Sequence, residues 1–100
     1  LEERFNCPYQ DIIDAVRYHT TGRPNMSLLE KVVFIADKVE PFKVKANDIL
    51  APILEISKID LDKSIEMYLS FRISERLKGG HSVHPLAIET WNWFVVRGNQ

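Results

Sequence analysis

The stretch that decides the reading is His19-Thr20-Thr21-Gly22-Arg23-Pro24-Asn25-Met26-Ser27-Leu28-Leu29-Glu30-Lys31-Val32-Val33-Phe34-Ile35-Ala36-Asp37-Lys38-Val39-Glu40-Pro41. A glycine-bearing loop runs straight into a strongly apolar helical pattern. One histidine stands before the loop and one aspartate lies well inside the helix. Ser27 and Glu30 are in the S-x-x-E relation, so each side chain can satisfy the other's exposed backbone N–H and start the helix. Leu28, Leu29, Val32, Val33, Ile35, Ala36 and Val39 cover most of the circumference, which predicts a central, buried helix. Pro41 marks its end. Gly22 suits a left-handed exit from the helix before the loop.

Upstream, the segment from about Tyr9 to His19 carries an apolar stripe of Ile12, Ile13 and Val16, with Asp11 and Asp14 near its favourable N-terminal end. Before it, Leu1 to Phe5 reads as a helix already under way, with an i, i+4 pair of Leu1 and Phe5 and no N-cap. Asn6-Cys7-Pro8 is expected to break that helix, because proline disfavours helical geometry at the residue before it. A start in mid-helix reads as a piece of a longer polypeptide.

Downstream, residues 46–58 carry Ile49, Leu50, Ile53, Leu54 and Ile56 at helical spacing, and Pro52 should kink that helix or delay its start. Asp60 is the expected cap of a longer helix over 61–78, with Leu61, Ile65, Tyr68, Leu69, Ile73 and Leu77 inward and Gly79-Gly80 as the stop. His84-Pro85 opens the last helix, with proline in the first turn and Ile88, Trp91, Trp93, Phe94 and Val95 giving it a heavy apolar surface. No segment alternates as a strand does, so the expected class is all-α.

Composition narrows the function. A chain of 100 residues is one domain, and 45% hydrophobic content is that of a globular protein. A net charge of -1 argues against binding a nucleic-acid polymer, which usually calls for a basic face. A lone Cys7 gives no internal disulfide framework and fits a reducing cytoplasm. No apolar run approaches the roughly 20 residues of a membrane span.

Asp37 is the hardest residue to explain by packing. A carboxylate beside Val33 and Ala36 needs a cation, a metal or hydrogen-bond donors. It falls at the boundary of the apolar surface, so a solvated edge position paired with Lys38 or Arg23 is the plain alternative to a metal role. His19 ends a helix, where the dipole favours an imidazolium and capping is the plain reading; a ligand role is the sharper one. The eight steps from His19 to Ser27 span up to about 26–29 Å, enough for the loop to double back and bring His19 and Asp37 together. We expect that convergence. His81 and His84 are ambiguous, His84 being better placed to cap its helix. No phosphate-loop spacing is present, and Ser27 serves better as a cap than as a nucleophile.

Several of these residues also form a pattern. Ala15-Val16-Arg17-Tyr18-His19-Thr20-Thr21-Gly22-Arg23, Met26-Ser27-Leu28-Leu29-Glu30-Lys31, Phe34-Ile35-Ala36-Asp37 and Glu40-Pro41 resemble the YqeK-type branch of the HD-domain metal-dependent phosphohydrolases. Asp60-Leu61-Asp62-Lys63, His84-Pro85, Ile88-Glu89 and Trp91-Asn92 resemble that family's C-terminal part. The resemblance implies a helical HD-domain-like bundle of which residues 1–100 are the C-terminal part, without its N-terminal helices. It implies metal-dependent hydrolysis of diadenosine tetraphosphate and related dinucleoside polyphosphates to nucleoside diphosphates. The cofactor would be iron or another divalent metal, as one or two ions, with His19 and Asp37 as ligands and most ligands outside this chain. Arg23 in the loop can pair with phosphate bidentately, and Lys43 is a second substrate contact.

Two departures qualify the resemblance. The family's early histidine, its His-Asp doublet and a further histidine do not occur here, so these 100 residues alone are expected to be inactive. After Glu-Pro the family commonly has Asn-Arg, whereas Phe42 and Lys43 stand here, and a point charge does not replace a planar fork. A parent fused to a nicotinate-nucleotide adenylyltransferase is one alternative. Another is a non-catalytic interaction module presenting Trp91, Trp93 and Phe94. Apolar surface left uncovered would favour a homodimer.

Overall fold

The computed structural model describes residues 2–98, with side-chain surroundings given from Tyr9 onward. Among these residues the ordered elements are all helices: α1 (Glu2–Arg17), α2 (Leu28–Lys38), α3 (Pro41–Ala46), α4 (Leu50–Ser57), α5 (Leu61–Lys78) and α6 (Pro85–Gly98). The all-α expectation is met. The expected pairing of Leu1 with Phe5, and the Cys7 side chain, lie outside the residues whose side chains are described.

The helix starts follow local chemistry. Ser27 caps α2 with both arms of the capping box formed, the Glu30 N–H on Ser27 Oγ at 3.2 Å and the Ser27 N–H on Glu30 Oε1 at 3.1 Å. Asp60 caps α5 by accepting from the Lys63 N–H at 3.1 Å. At α6, His84 Nδ1 accepts the Leu86 N–H at 3.0 Å, so this histidine does cap its helix. Pro52 sits in the first turn of α4, where its missing N–H has no intrahelical partner to lose.

α5 is the hub, packing against α4, α6 and α2, while α1 packs against α2. The core joins Met26, Phe34, Ile35 and Val39 to Leu50, Ile53, Ile65, Leu69 and Phe94. Phe34 meets Tyr68 edge-on at 5.8 Å between ring centroids, an arrangement that aromatic quadrupoles favour.

Four expectations are corrected. The backbone of α1 stays helical through Pro8 rather than breaking there; the helical preference of the residues on both sides outweighs the loss of one hydrogen bond. α2 is central only in its second half: Leu28, Leu29 and Val32 are exposed, and Glu30 and Lys38 are buried in their place. Its buried polar positions are satisfied by ion pairing, which hydropathy cannot register. α3 was not anticipated, although Glu40 before Pro41 carries its signal. Glu40 accepts from the Phe42 and Lys43 N–H groups and proline takes the first helical position. Leu77 lies exposed in the last turn of α5. On the other side, Phe94 is buried and Trp91 and Trp93 pack against the core, so these aromatics are largely structural. The stripe of Ile12, Ile13 and Val16 on α1 is exposed, Val16 by 62%.

The loop between α1 and α2 is fixed by Arg23. Its Nε donates to Glu30 Oε2 and its Nη2 to Glu30 Oε1, both at 2.7 Å, and Nη2 also reaches Asp14 Oδ2 at 3.4 Å. The guanidinium lies over the Tyr18 ring, 4.6 Å from its centroid. Glu30 is only 2% exposed. Burial pushes its carboxyl upward, but the Arg23 and Ser27 hydrogen bonds prevail and hold it below its ordinary value.

Glu30→Gln should therefore lower stability by about 2 kcal/mol at neutral pH, less than a fully buried pair would give because Arg23 is 33% exposed. A carboxyl with a depressed folded-state pKa stabilises fully above its ordinary value of 4.5, and loses that contribution as pH falls through the lower folded value. Denaturant unfolding of wild type and variant from pH 7 to pH 3 should show the two converging toward acid; a constant difference would contradict the assignment.

Candidate functional site

α1 ends at Arg17, and His19 follows in the turn. His19 Nδ1 contacts the Val16 carbonyl oxygen. A carbonyl can only accept, so Nδ1 carries the ring proton and the Nε2 lone pair faces outward from that bond. Among the described residues the hydrogen-bonding neighbour of Nε2 is the Thr20 hydroxyl, at 3.5 Å. A backbone carbonyl on one ring nitrogen is the arrangement that orients metal-binding histidines through the other.

The loop then passes Gly22, whose φ of +73° is the left-handed conformation expected of it. A Cβ there would stand 2.9 Å from Thr90 Cγ2, so the glycine also allows close contact with α6. The loop that carries His19 is thus braced by α6 on one side and by Glu30 of α2 on the other.

Asp37 is in the last turn of α2 with its side chain 41% exposed. Oδ2 pairs with Lys38 Nζ at 3.3 Å and Oδ1 with Lys43 Nζ at 3.4 Å. Burial raises its pKa and the two lysines more than offset this, leaving it below the ordinary value and ionised at neutral pH. The pairing with Lys38 foreseen in the sequence is present; Arg23 is committed to Glu30 instead. Lys38 is buried over the rings of Phe34 and Tyr68, at 5.0 and 5.8 Å from their centroids. Desolvation lowers its pKa, opposed by Asp37. Lys43 also donates to the Asp37 carbonyl at 2.8 Å, satisfying one of the free carbonyls at the end of α2.

Among the described residues no hydrogen bond or ion pair joins His19 to Asp37, and no three of His, Cys, Asp and Glu gather as a metal group. The two residues fit a divalent ion as donors, a neutral imidazole nitrogen and an ionised carboxylate, but as two members of a larger set.

A cavity of about 550 Å³ adjoins this region, within the size range of small-molecule sites. Thr20 and Thr21, next to His19, form one wall, and Tyr68, Arg72 and Arg76 of α5 form another. Asp37 and Arg72 both act electrostatically on the Tyr68 phenol, whose pKa is raised chiefly by burial, so this wall stands close to the Asp37 end of α2. The two arginines were not singled out in the sequence. Their signal is an i, i+4 basic pair beside the inward Tyr68, Leu69 and Ile73.

No family model matches the chain. Its fold does match a solved structure, a predicted HD superfamily hydrolase involved in NAD metabolism from Clostridium acetobutylicum, with TM-score 0.80, 36% identity and 87% of this chain covered. The chain is accordingly similar to this HD superfamily hydrolase and has its helical fold over that span. Its relatives within the class are named symmetrical bis(5'-nucleosyl)-tetraphosphatases. That of Bacillus subtilis is 35% identical over 86 residues, and that of Halalkalibacterium halodurans 39% over 96 residues. These alignments take in 86% and 96% of this chain but 45% and 50% of the relatives. The Clostridium alignment likewise covers 45% of that protein. The chain therefore spans about half the length of the curated relatives it matches, and the resemblance seen in the sequence is borne out.

Asp37→Ala should cost about 1 kcal/mol, because the buried Lys38 ammonium loses its nearest carboxylate while Asp37 itself is well solvated. Adding Lys38→Met should restore that loss, since an apolar chain of similar length suits the aromatic surroundings. Thermal unfolding of the single and double variants checks this; a double variant less stable than Asp37→Ala would refute the pairing.

Proposed function

We propose that the intact protein is a metal-dependent dinucleoside tetraphosphatase and that this chain is the C-terminal part of its HD-type domain. The observation that carries the reading is homology to symmetrical tetraphosphatases at 35–39% identity across nearly all of the chain. The substrate class is dinucleoside polyphosphate, cleaved to nucleoside diphosphates, and the location is the cytoplasm. The exposed stripe of Tyr9, Ile12, Ile13 and Val16 supports a larger domain, because apolar surface at helical spacing is normally covered.

His19 and Asp37 are the ligands this chain contributes, His19 through Nε2 and Asp37 through its carboxylate. Iron or another divalent ion, when bound, supplies charge to polarise a phosphoryl oxygen and to acidify water. The chain's own residues hold the ligands in place: the Val16 carbonyl orients the imidazole, and Lys38 and Lys43 keep Asp37 ionised. Arg23 and Lys43 are the candidate substrate contacts. Arg23 offers Nη1, since Nε and Nη2 are engaged by Glu30 and Asp14, and Lys43 can exchange Asp37 for a phosphate oxygen. The Clostridium neighbour's link to NAD metabolism favours, as a second reading, an HD part joined to a nicotinate-nucleotide adenylyltransferase; the parent sequence decides that directly.

In the full-length protein, Asp37→Ala and His19→Ala should each reduce diadenosine tetraphosphate hydrolysis at least ~100-fold with the fold retained, and a chelator should do the same to wild type. Chromatographic detection of adenosine diphosphate as the sole product supports the symmetrical cut. Unimpaired turnover in Asp37→Ala, or full activity after chelation, would falsify the assignment.

A further inference from the structure

The cavity beside the Thr20-Thr21 wall has a chemistry that neither candidate substrate contact uses. Arg72 and Arg76 lie one turn apart on the same face of α5. Both line this cavity, and among the described residues neither is in an ion pair. Like charges at this spacing repel, so the pair gains from an anion shared between them. Arg76 is already oriented: its Nε donates to the Ser82 carbonyl at 2.6 Å, while its two Nη nitrogens make no hydrogen bond to a described residue.

The opposite rim supplies more donors. His84 accepts the Leu86 N–H on Nδ1, so in the neutral ring the donor is Nε2, and His84 is one of the residues lining the cavity. Ser82 lines it too. The first free N–H groups of α6 are spent, Leu86 on His84 Nδ1 and Ala87 and Ile88 on the His84 carbonyl. The recognition therefore falls to side chains, with guanidinium groups in the leading part. Arg72 also lines a second cavity of about 310 Å³ together with Lys38, Lys43 and Glu75, three cations to one carboxylate, so the charge balance stays positive from this site toward Asp37.

We propose that Arg72 and Arg76 form an anion subsite for a phosphate chain, with Ser82 and His84 completing its rim. The anion site stands on this geometry alone; its assignment to the phosphates of a nucleotide rests on the tetraphosphatase reading. Planar forks at one-turn spacing suit the bridging of phosphoryl oxygens better than point charges do.

The test is calorimetric titration of the full-length protein, with metal removed by chelation, using inorganic tripolyphosphate, adenosine diphosphate and adenosine as probes. Arg72→Ala, which removes an exposed side chain that makes no hydrogen bond or ion pair among the described residues, should weaken tripolyphosphate and adenosine diphosphate roughly ten-fold or more. Arg72→Lys should retain part of that affinity, and adenosine should respond equally to all forms. Arg76→Gln is the second variant, with circular dichroism confirming the fold of each. Unchanged phosphate binding in both variants, equal losses for adenosine, or no binding of either phosphate probe by wild type would each overturn the subsite. Hydrolysis of diadenosine tetraphosphate with metal restored is scored separately. Its absence beside arginine-dependent tripolyphosphate binding would remove the tetraphosphatase reading and leave the subsite standing.

Discussion

The ion pair between Arg23 and Glu30 is the constraint on which the rest of the site depends. One buried carboxylate accepts from both Nε and Nη2 of the guanidinium and, on the same Oε1, from the backbone N–H of Ser27. Left without these donors, it would be an unpaired acid in the interior, which is costly. Loop, helix start and, through Asp14, the last turns of α1 are therefore tied at a single point. A loop of this length would otherwise sample many conformations.

Fixing the loop fixes His19 at one end of the arrangement and lets α2 set the distance to the other. Glu30 and Asp37 are seven residues apart on one helix, about 10 Å along the axis. α2 thus works as a rigid spacer between the anchored loop and the Asp37–Lys38–Lys43 cluster. α5 crosses both regions, since Tyr68 and Arg72 border the cavity at the loop and also lie near the lysines. The core that holds α5 against α2 is apolar, and it sets where the charged groups stand.

Much of this was legible in the sequence where local chemistry decides. The Ser27 and Asp60 caps, the Gly22 turn and the extent of α5 follow from a few side chains whose backbone preferences have a short range. Legibility failed where partners are distant in sequence. Leu28 and Val32 have the periodicity of buried residues and are exposed, whereas Glu30 and Lys38 have the character of surface residues and are buried. Only the facing Arg23, Asp37 and aromatic rings explain the exchange. α3 was missed because six residues give too little periodicity to see, although Glu40 and Pro41 state its start. For the site, Asp37 stood out because a carboxylate in an apolar helix needs an explanation. Arg72 and Arg76 did not, because arginines on an amphipathic helix are ordinary until the fold turns them toward a cavity.

Thr90 shows how far a side chain's nominal polarity can mislead. It is fully buried, its hydroxyl donates at 2.7 Å to the Leu86 carbonyl of its own helix, and its methyl lies where Gly22 leaves room. The oxygen is consumed internally and gives nothing to neighbouring segments. Outwardly the residue behaves as hydrocarbon, a small wedge holding the histidine-bearing turn at its proper separation from the final helix. Shape, rather than hydrogen-bonding capacity, is what that position demands of its occupant.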